Sequence, residues 1–159
     1  MNVKEQFSRY ILLKKEVENR LECLARMRAD AQLPNIEYGK IGSNGGDGQR
    51  MARAVERCME YAKQIEPVIA ANQQEMHRIQ TTINQLDDPL EREVLRMRYL
   101  DGQDCRLTPW KEIALALYGD DDECCVHACI RLQSKALKKA GKYLLAQNDI
   151  ESQSFGVVS

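Results

Sequence analysis

Met51, Val55, Cys58, Ala62, Ile65, Ile69, Asn72, Met76, Ile79, Ile83 and Leu86 recur in alternating steps of four and three without a slip. A helix puts such positions on one side, whereas a strand scatters them over both faces. Residues 49–87 are therefore predicted to form one long helix, and the repeat itself spans about 54 Å at ~1.5 Å per residue. Pro67 falls inside it. Its missing donor predicts a kink near Ile65.

An earlier stretch carries a shorter version of the same rhythm. Val3, Phe7, Tyr10, Lys14, Val17, Leu21, Leu24 and Arg28 also alternate in steps of four and three, with Lys14 and Arg28 as polar positions. This predicts a first coiled-coil-type helix over 1–31. Between the two, Pro34, Gly39, Gly42, Gly45, Gly46 and Gly48 predict a flexible loop over 32–48. The loop has no GK[ST] and no preceding strand, so its glycines do not read as a phosphate cradle. Two heptad helices joined this way predict an antiparallel hairpin. The second helix is the longer, which leaves part of its stripe in need of a partner, either the C-terminal domain or a second copy of the chain. Val55, Ile65, Ile69, Asn72, Met76, Ile79 and Ile83 are the expected oligomerisation seam, with a dimer as the simplest assembly. Asn72, polar on that seam, is the type of residue that fixes register.

Composition excludes several classes. No run of 18 apolar residues exists, and MNVKEQFSRYILLKK has no uninterrupted apolar stretch with a cleavage site. A cytoplasmic protein is expected, with its six cysteines reduced. Catalysis lacks a nucleophile with a base and an orienting group, and His77 and His127 lie in separate segments. No enzyme activity and no cofactor are expected. Cys124, Cys125, His127 and Cys129, with Cys105 nearby, resemble a zinc set at a glance. On one helix they point to different faces instead of converging, so no metal site is expected.

The chemistry concentrates after residue 87. Asp88-Pro89-Leu90-Glu91 reads as a helix start, with Asp88 as cap and Glu91 reaching back as in a capping box. That helix is expected to stop at Asp101-Gly102, with Gly102 as a left-handed cap. Thr108-Pro109 starts a second helix through Tyr118, ended by Gly119. A third runs from about Cys124 to Gln147. It carries Arg131, Lys135, Lys138, Lys139 and Lys142 and no acidic residue from Cys124 to Asn148, on a chain of net charge −1. A helix fits the major groove, with Lys and Arg on phosphates and polar side chains on base edges. The five cations are the expected phosphate contacts, and Gln133, Ser134 and His127 the candidate base readers. Five such contacts would give a slope of about −4 to −5 in log affinity against log salt.

EREVLRMRYLDG, WKEIALALYGD and IRLQSKALKK together resemble the fourth conserved region of bacterial sigma factors. The matching residues are Leu95, Arg98, Tyr99, Leu100, Asp101 and Gly102, then Glu112, Ile113 and Ala114, then Lys135, Ala136 and Leu137. The layout of the whole chain is similar to short phage and prophage late-gene regulators of the ArpU/RinA-like group. The resemblance implies a helix-turn-helix domain over 88–148 that binds double-stranded DNA near promoters, alongside RNA polymerase, in a bacterial host cell. Trp110, Ile113, Leu117, Leu132 and Leu137 would hold that domain together. One departure is visible. GDDDE is longer than the three- or four-residue turn of a compact helix-turn-helix, and its acids stand near the end that approaches DNA.

The expected fold is thus all-α: a heptad hairpin, a C-terminal three-helix domain and a flexible tail over 149–159. A transcription regulator is the leading expectation. A DNA-packaging recognition subunit (small-terminase-like) and a helical adaptor that binds no DNA are the alternatives.

Overall fold

The computed structural model describes residues 2–32 and 47–156, so most of the loop expected over 32–48 lies outside the described residues. The fold is all-α. Its helices are α1 (Val3–Gln32), α2 (Asp47–Asn84), α3 (Pro89–Leu95), α4 (Trp110–Tyr118) and α5 (Glu123–Phe155). A π-helical turn, Arg96–Leu100, continues α3. Both heptad segments are helical, and α2 runs unbroken past Pro67. Helix α5 continues to Phe155, where a flexible tail was expected from 149. Two ties hold this extension: Arg78 of α2 pairs with Glu151 and donates to Asn148 Oδ1.

The chain divides into two compact units. One holds Met1–Lys14 and Gln74–Ser159, the other Lys15–Gln73. The expected boundary at 88 therefore does not separate two cores. Phe7 and Tyr10 of α1 and Ile79, Ile83 and Leu86 from the end of the α2 stripe join Val94, Leu95, Tyr99, Ile113, Ala136, Ala140 and Leu144 in a single buried cluster. The physical reason is area: α3, α4 and α5 alone expose too much of their apolar sides, and the start of α1 and the end of α2 cover it.

In the smaller unit, Leu24 of α1 packs with Cys58 and Ile65 of α2, flanked by Met27, Tyr61, Ala62 and Ile69. Steps of four and three thus place the predicted positions where they are needed. Three seam residues, Ile65, Ile79 and Ile83, are buried inside one unit or the other, which corrects the expectation that they lie uncovered. Ile69, Asn72 and Met76 are half-buried, and Val55 is exposed, as are Met51 and Met59 beside it.

Local starts and stops follow capping chemistry with two corrections. Asp88 caps α3, its Oδ1 accepting from the Leu90 amide at 2.8 Å. Gly119 ends α4 in the left-handed conformation at φ 76°. Gly102, by contrast, has no positive φ. It is needed for space, because a Cβ there would lie 2.1 Å from the Arg106 carbonyl oxygen and 2.5 Å from Ile11 Cδ1. The left-handed residues of that loop are Asp104 and Cys105. Thr108 does not cap α4 with its side chain. Its backbone is held instead by Arg98.

Candidate nucleic-acid interface

Helices α4 and α5 flank the turn Gly119–Asp122, which is four residues long because Glu123 already belongs to α5. The turn that GDDDE was expected to lengthen therefore has the length of a compact helix-turn-helix. Its acids have local work. Asp120 Oδ1 accepts from the Asp122 amide at 3.0 Å. Asp122 Oδ1 then accepts from the Cys125 amide at 2.7 Å and caps α5. That backbone bond from Cys125 holds the Asp122 carboxyl below its ordinary value. A negative charge here also suits the positive end of the helix dipole.

Two opposite stripes organise α5. Cys129, Gln133, Ala136, Ala140 and Leu144 are buried, at steps of four, three, four and four. His127, Arg131, Ser134, Lys138 and Lys142 are exposed, at the same steps. Small Ala136 and Ala140 let α3 and α4 approach closely, and Ile113 and Ala114 of α4 are fully buried in that cluster. The result is one hydrophobic side and one cationic side on a single helix. Among the described residues, no carboxylate pairs with Arg131, Lys138 or Lys142.

Lys135 and Lys139 lie toward α3, and there the sequence expectation needs revision. Glu91 is fully buried, and Lys139 Nζ donates to both of its carboxylate oxygens at 2.9 and 3.0 Å. Lys135 Nζ stands 3.6 Å from the same carboxylate while most of its side chain remains exposed. Glu91 thus serves no capping box. Its hydrogen bond raises the Lys139 ammonium above its ordinary value, with Asp88 and Asp87 adding to the effect.

The three candidate base readers diverge. Gln133 is 5% exposed, with its Oε1 buried and unpartnered. It faces the core, which removes it from the accessible cationic side. Ser134 is exposed, its Oγ donating to the Ile130 carbonyl at 3.0 Å. His127 is exposed.

The framework residues Trp110, Leu117, Leu132 and Leu137 are half-buried against the main cluster, with Ile113 inside it. Arg98 was matched only by resemblance, yet it makes the most connected contact here. Its guanidinium lies 4.5 Å from the Trp110 ring centroid and donates through Nη1 to the Thr108 carbonyl at 2.6 Å. Burial lowers this guanidinium from its ordinary value. One residue on, Tyr99 is fully buried within the π-helical turn, where the Asp101 amide bonds back to the Arg96 carbonyl at 3.1 Å. Such turns let one extra residue into a helix and re-aim the side chains around it.

The cysteine cluster does not converge. Cys124 is exposed, Cys125 half-buried and Cys129 buried, and no group of three or more potential ligands gathers among the described residues. The bond to Asp122 pushes the Cys125 thiol up to about 11, away from the thiolate that a metal or an electrophile would want.

Sequence reading missed Glu91 as the partner of the basic helix. The signal was present, because Glu91 lies three and four residues before Val94 and Leu95 on the buried stripe of α3. A carboxylate on a buried stripe requires a cation. Among the described residues, no helix is long and apolar enough to cross a membrane. No family model, curated protein or solved structure matches the chain.

Proposed function

We propose that this chain is a DNA-binding transcription regulator that reads duplex with α5. The carrying observation is the unpaired cationic side of α5, immediately behind α4 and a four-residue turn. Arg131, Lys138 and Lys142, with the exposed part of Lys135, would neutralise phosphates. His127, near the start of the helix, and Ser134, about three turns along it, share that side and would meet base edges. The resemblance to sigma region four and to the ArpU/RinA-like regulators extends the proposal to promoter-proximal sites in phage or prophage genes, with RNA polymerase as a partner. The exposed Met51, Val55 and Met59 on α2 support a dimer as the binding form. On this reading the protein is not an enzyme and needs no cofactor.

The test is a gel-shift series on random duplex followed by selection of bound sequences. Affinity should fall steeply with salt, and Arg131→Ala combined with Lys135→Ala should weaken binding at every sequence. Weak binding unaffected by salt or by the double substitution would refute the proposal. A ring-sized assembly in light scattering would favour the packaging subunit over the regulator.

A further inference from the structure

Five cations lie on α5, but their surroundings differ. Lys139 donates to both oxygens of a carboxylate that is itself fully buried. Asp87 and Asp88, at the start of α3, add negative field around the same ammonium. A phosphate approaching Lys139 would have to displace a bidentate, desolvated partner and leave Glu91 buried without a counter-charge. Among the described residues, Arg131, Lys138 and Lys142 face no such competitor. Lys135 is intermediate, 3.6 Å from the Glu91 carboxylate with 65% of its side chain exposed.

From this geometry we infer that Glu91 is a positioning residue for the duplex-binding face, withholding Lys139 from phosphate and anchoring α5 against α3 so that Arg131, Lys135, Lys138 and Lys142 form the contacting set. The inference rests on the duplex-binding reading and sharpens it. Four phosphate contacts predict a slope of about −3.6 in log affinity against log salt, where five would give about −4.5. Glu91 touches no DNA in this scheme. It acts through Lys139, fixing the rotation of α5 and the number of cations it offers.

The experiment uses the full chain and two readouts. The first is affinity for random-sequence duplex across a salt series, for the parent, Lys138→Ala, Lys139→Met, Glu91→Gln and the Glu91→Gln/Lys139→Met pair. Lys138→Ala should make the slope shallower by about 0.9, the loss of one contact. Lys139→Met should leave it unchanged. Glu91→Gln should steepen it by about the same 0.9, because the released ammonium becomes a contact. The double variant, which loses the carboxylate and the ammonium together, should return to the parental slope. A Lys139→Met slope as shallow as that of Lys138→Ala overturns the inference. The second readout needs no DNA: amine acylation of the free protein, mapped by mass spectrometry. Lys139 should react several-fold more slowly than Lys138 in the parent and at a similar rate in Glu91→Gln. Equal rates in the parent overturn the lock. If no variant binds duplex while Lys139 stays protected, the duplex reading fails and the ion-pair lock stands.

Discussion

Phe7, in the second turn of α1, meets Tyr99 of the π-helical turn edge to face, with ring centroids 5.8 Å apart and planes inclined by 61°. Both side chains are fully buried. A residue near one end of the sequence thereby completes the core beneath α4 and α5.

Phe7→Ala should accordingly destabilise the C-terminal helices, at a cost of about 3–5 kcal/mol for a buried aromatic. A fragment beginning at 86 lacks both Phe7 and Ile79 and should melt well below the full chain. Thermal unfolding by far-ultraviolet circular dichroism checks both. A fragment as stable as the parent would show that the core closes without α1.

Gly102 and Gly119 should respond differently to alanine. At Gly102 the new Cβ would overlap the Arg106 carbonyl and Ile11, both in the same unit. Overpacking of that kind costs roughly 1–3 kcal/mol, and backbone contact puts it at the upper end. At Gly119 the space is open and only the positive φ opposes a side chain, a cost of about 1 kcal/mol. Denaturant midpoints of the two variants should fall in that order.

Arg98→Lys should not be conservative. The ammonium cannot stack as a flat guanidinium does on Trp110 while also bonding the Thr108 carbonyl. Loss of the stack alone is worth about 1–2 kcal/mol. Trp110 is the chain's single tryptophan, so its fluorescence should report the change directly.

The α5 cap carries a pH dependence whose sign is set. The Cys125 amide lowers the Asp122 carboxyl from its ordinary 3.8. Its contribution is therefore complete above that ordinary value and is lost as pH falls through the lower folded value. Asp122→Asn keeps an acceptor oxygen and removes the titration. Between neutral pH and about 3, the parent should lose more melting temperature than Asp122→Asn does. Parallel losses would assign acid sensitivity to other groups.

Periodicity and capping made much of this fold legible. The steps of four and three located α1 and α2, Asp88 and Gly119 marked two helix ends, and the one-sided charge of residues 131–142 marked α5. Tertiary pairing was less visible. Nothing local in Phe7 names Tyr99 as its partner, and the α2 stripe by itself does not choose between the C-terminal domain and a second copy. Gly102 was read as a conformational residue because close approach of Arg106 and Ile11 leaves no trace in neighbouring letters. Gln133 looked like a base reader by type, and only its step relation to Cys129 and Ala136 places it inward. The long appearance of GDDDE came from counting residues rather than caps: Asp122 turns its last residue into helix.

The division into units also orders the chain in time. Lys15–Gln73 precedes every residue of α3, α4 and α5, so its Leu24, Cys58 and Ile65 contacts can form while those three helices are still being synthesised. Phe7 and Tyr10 can meet Ile79 and Ile83 of α2 first, but their cluster is complete only with Tyr99, Ala136 and Ala140. Closing over such a distance in sequence is slow. Until α5 emerges from the ribosome, the side of this cluster that Ala136, Ala140 and Leu144 cover stays open, which makes that interval the point at which the nascent chain most needs protection from aggregation.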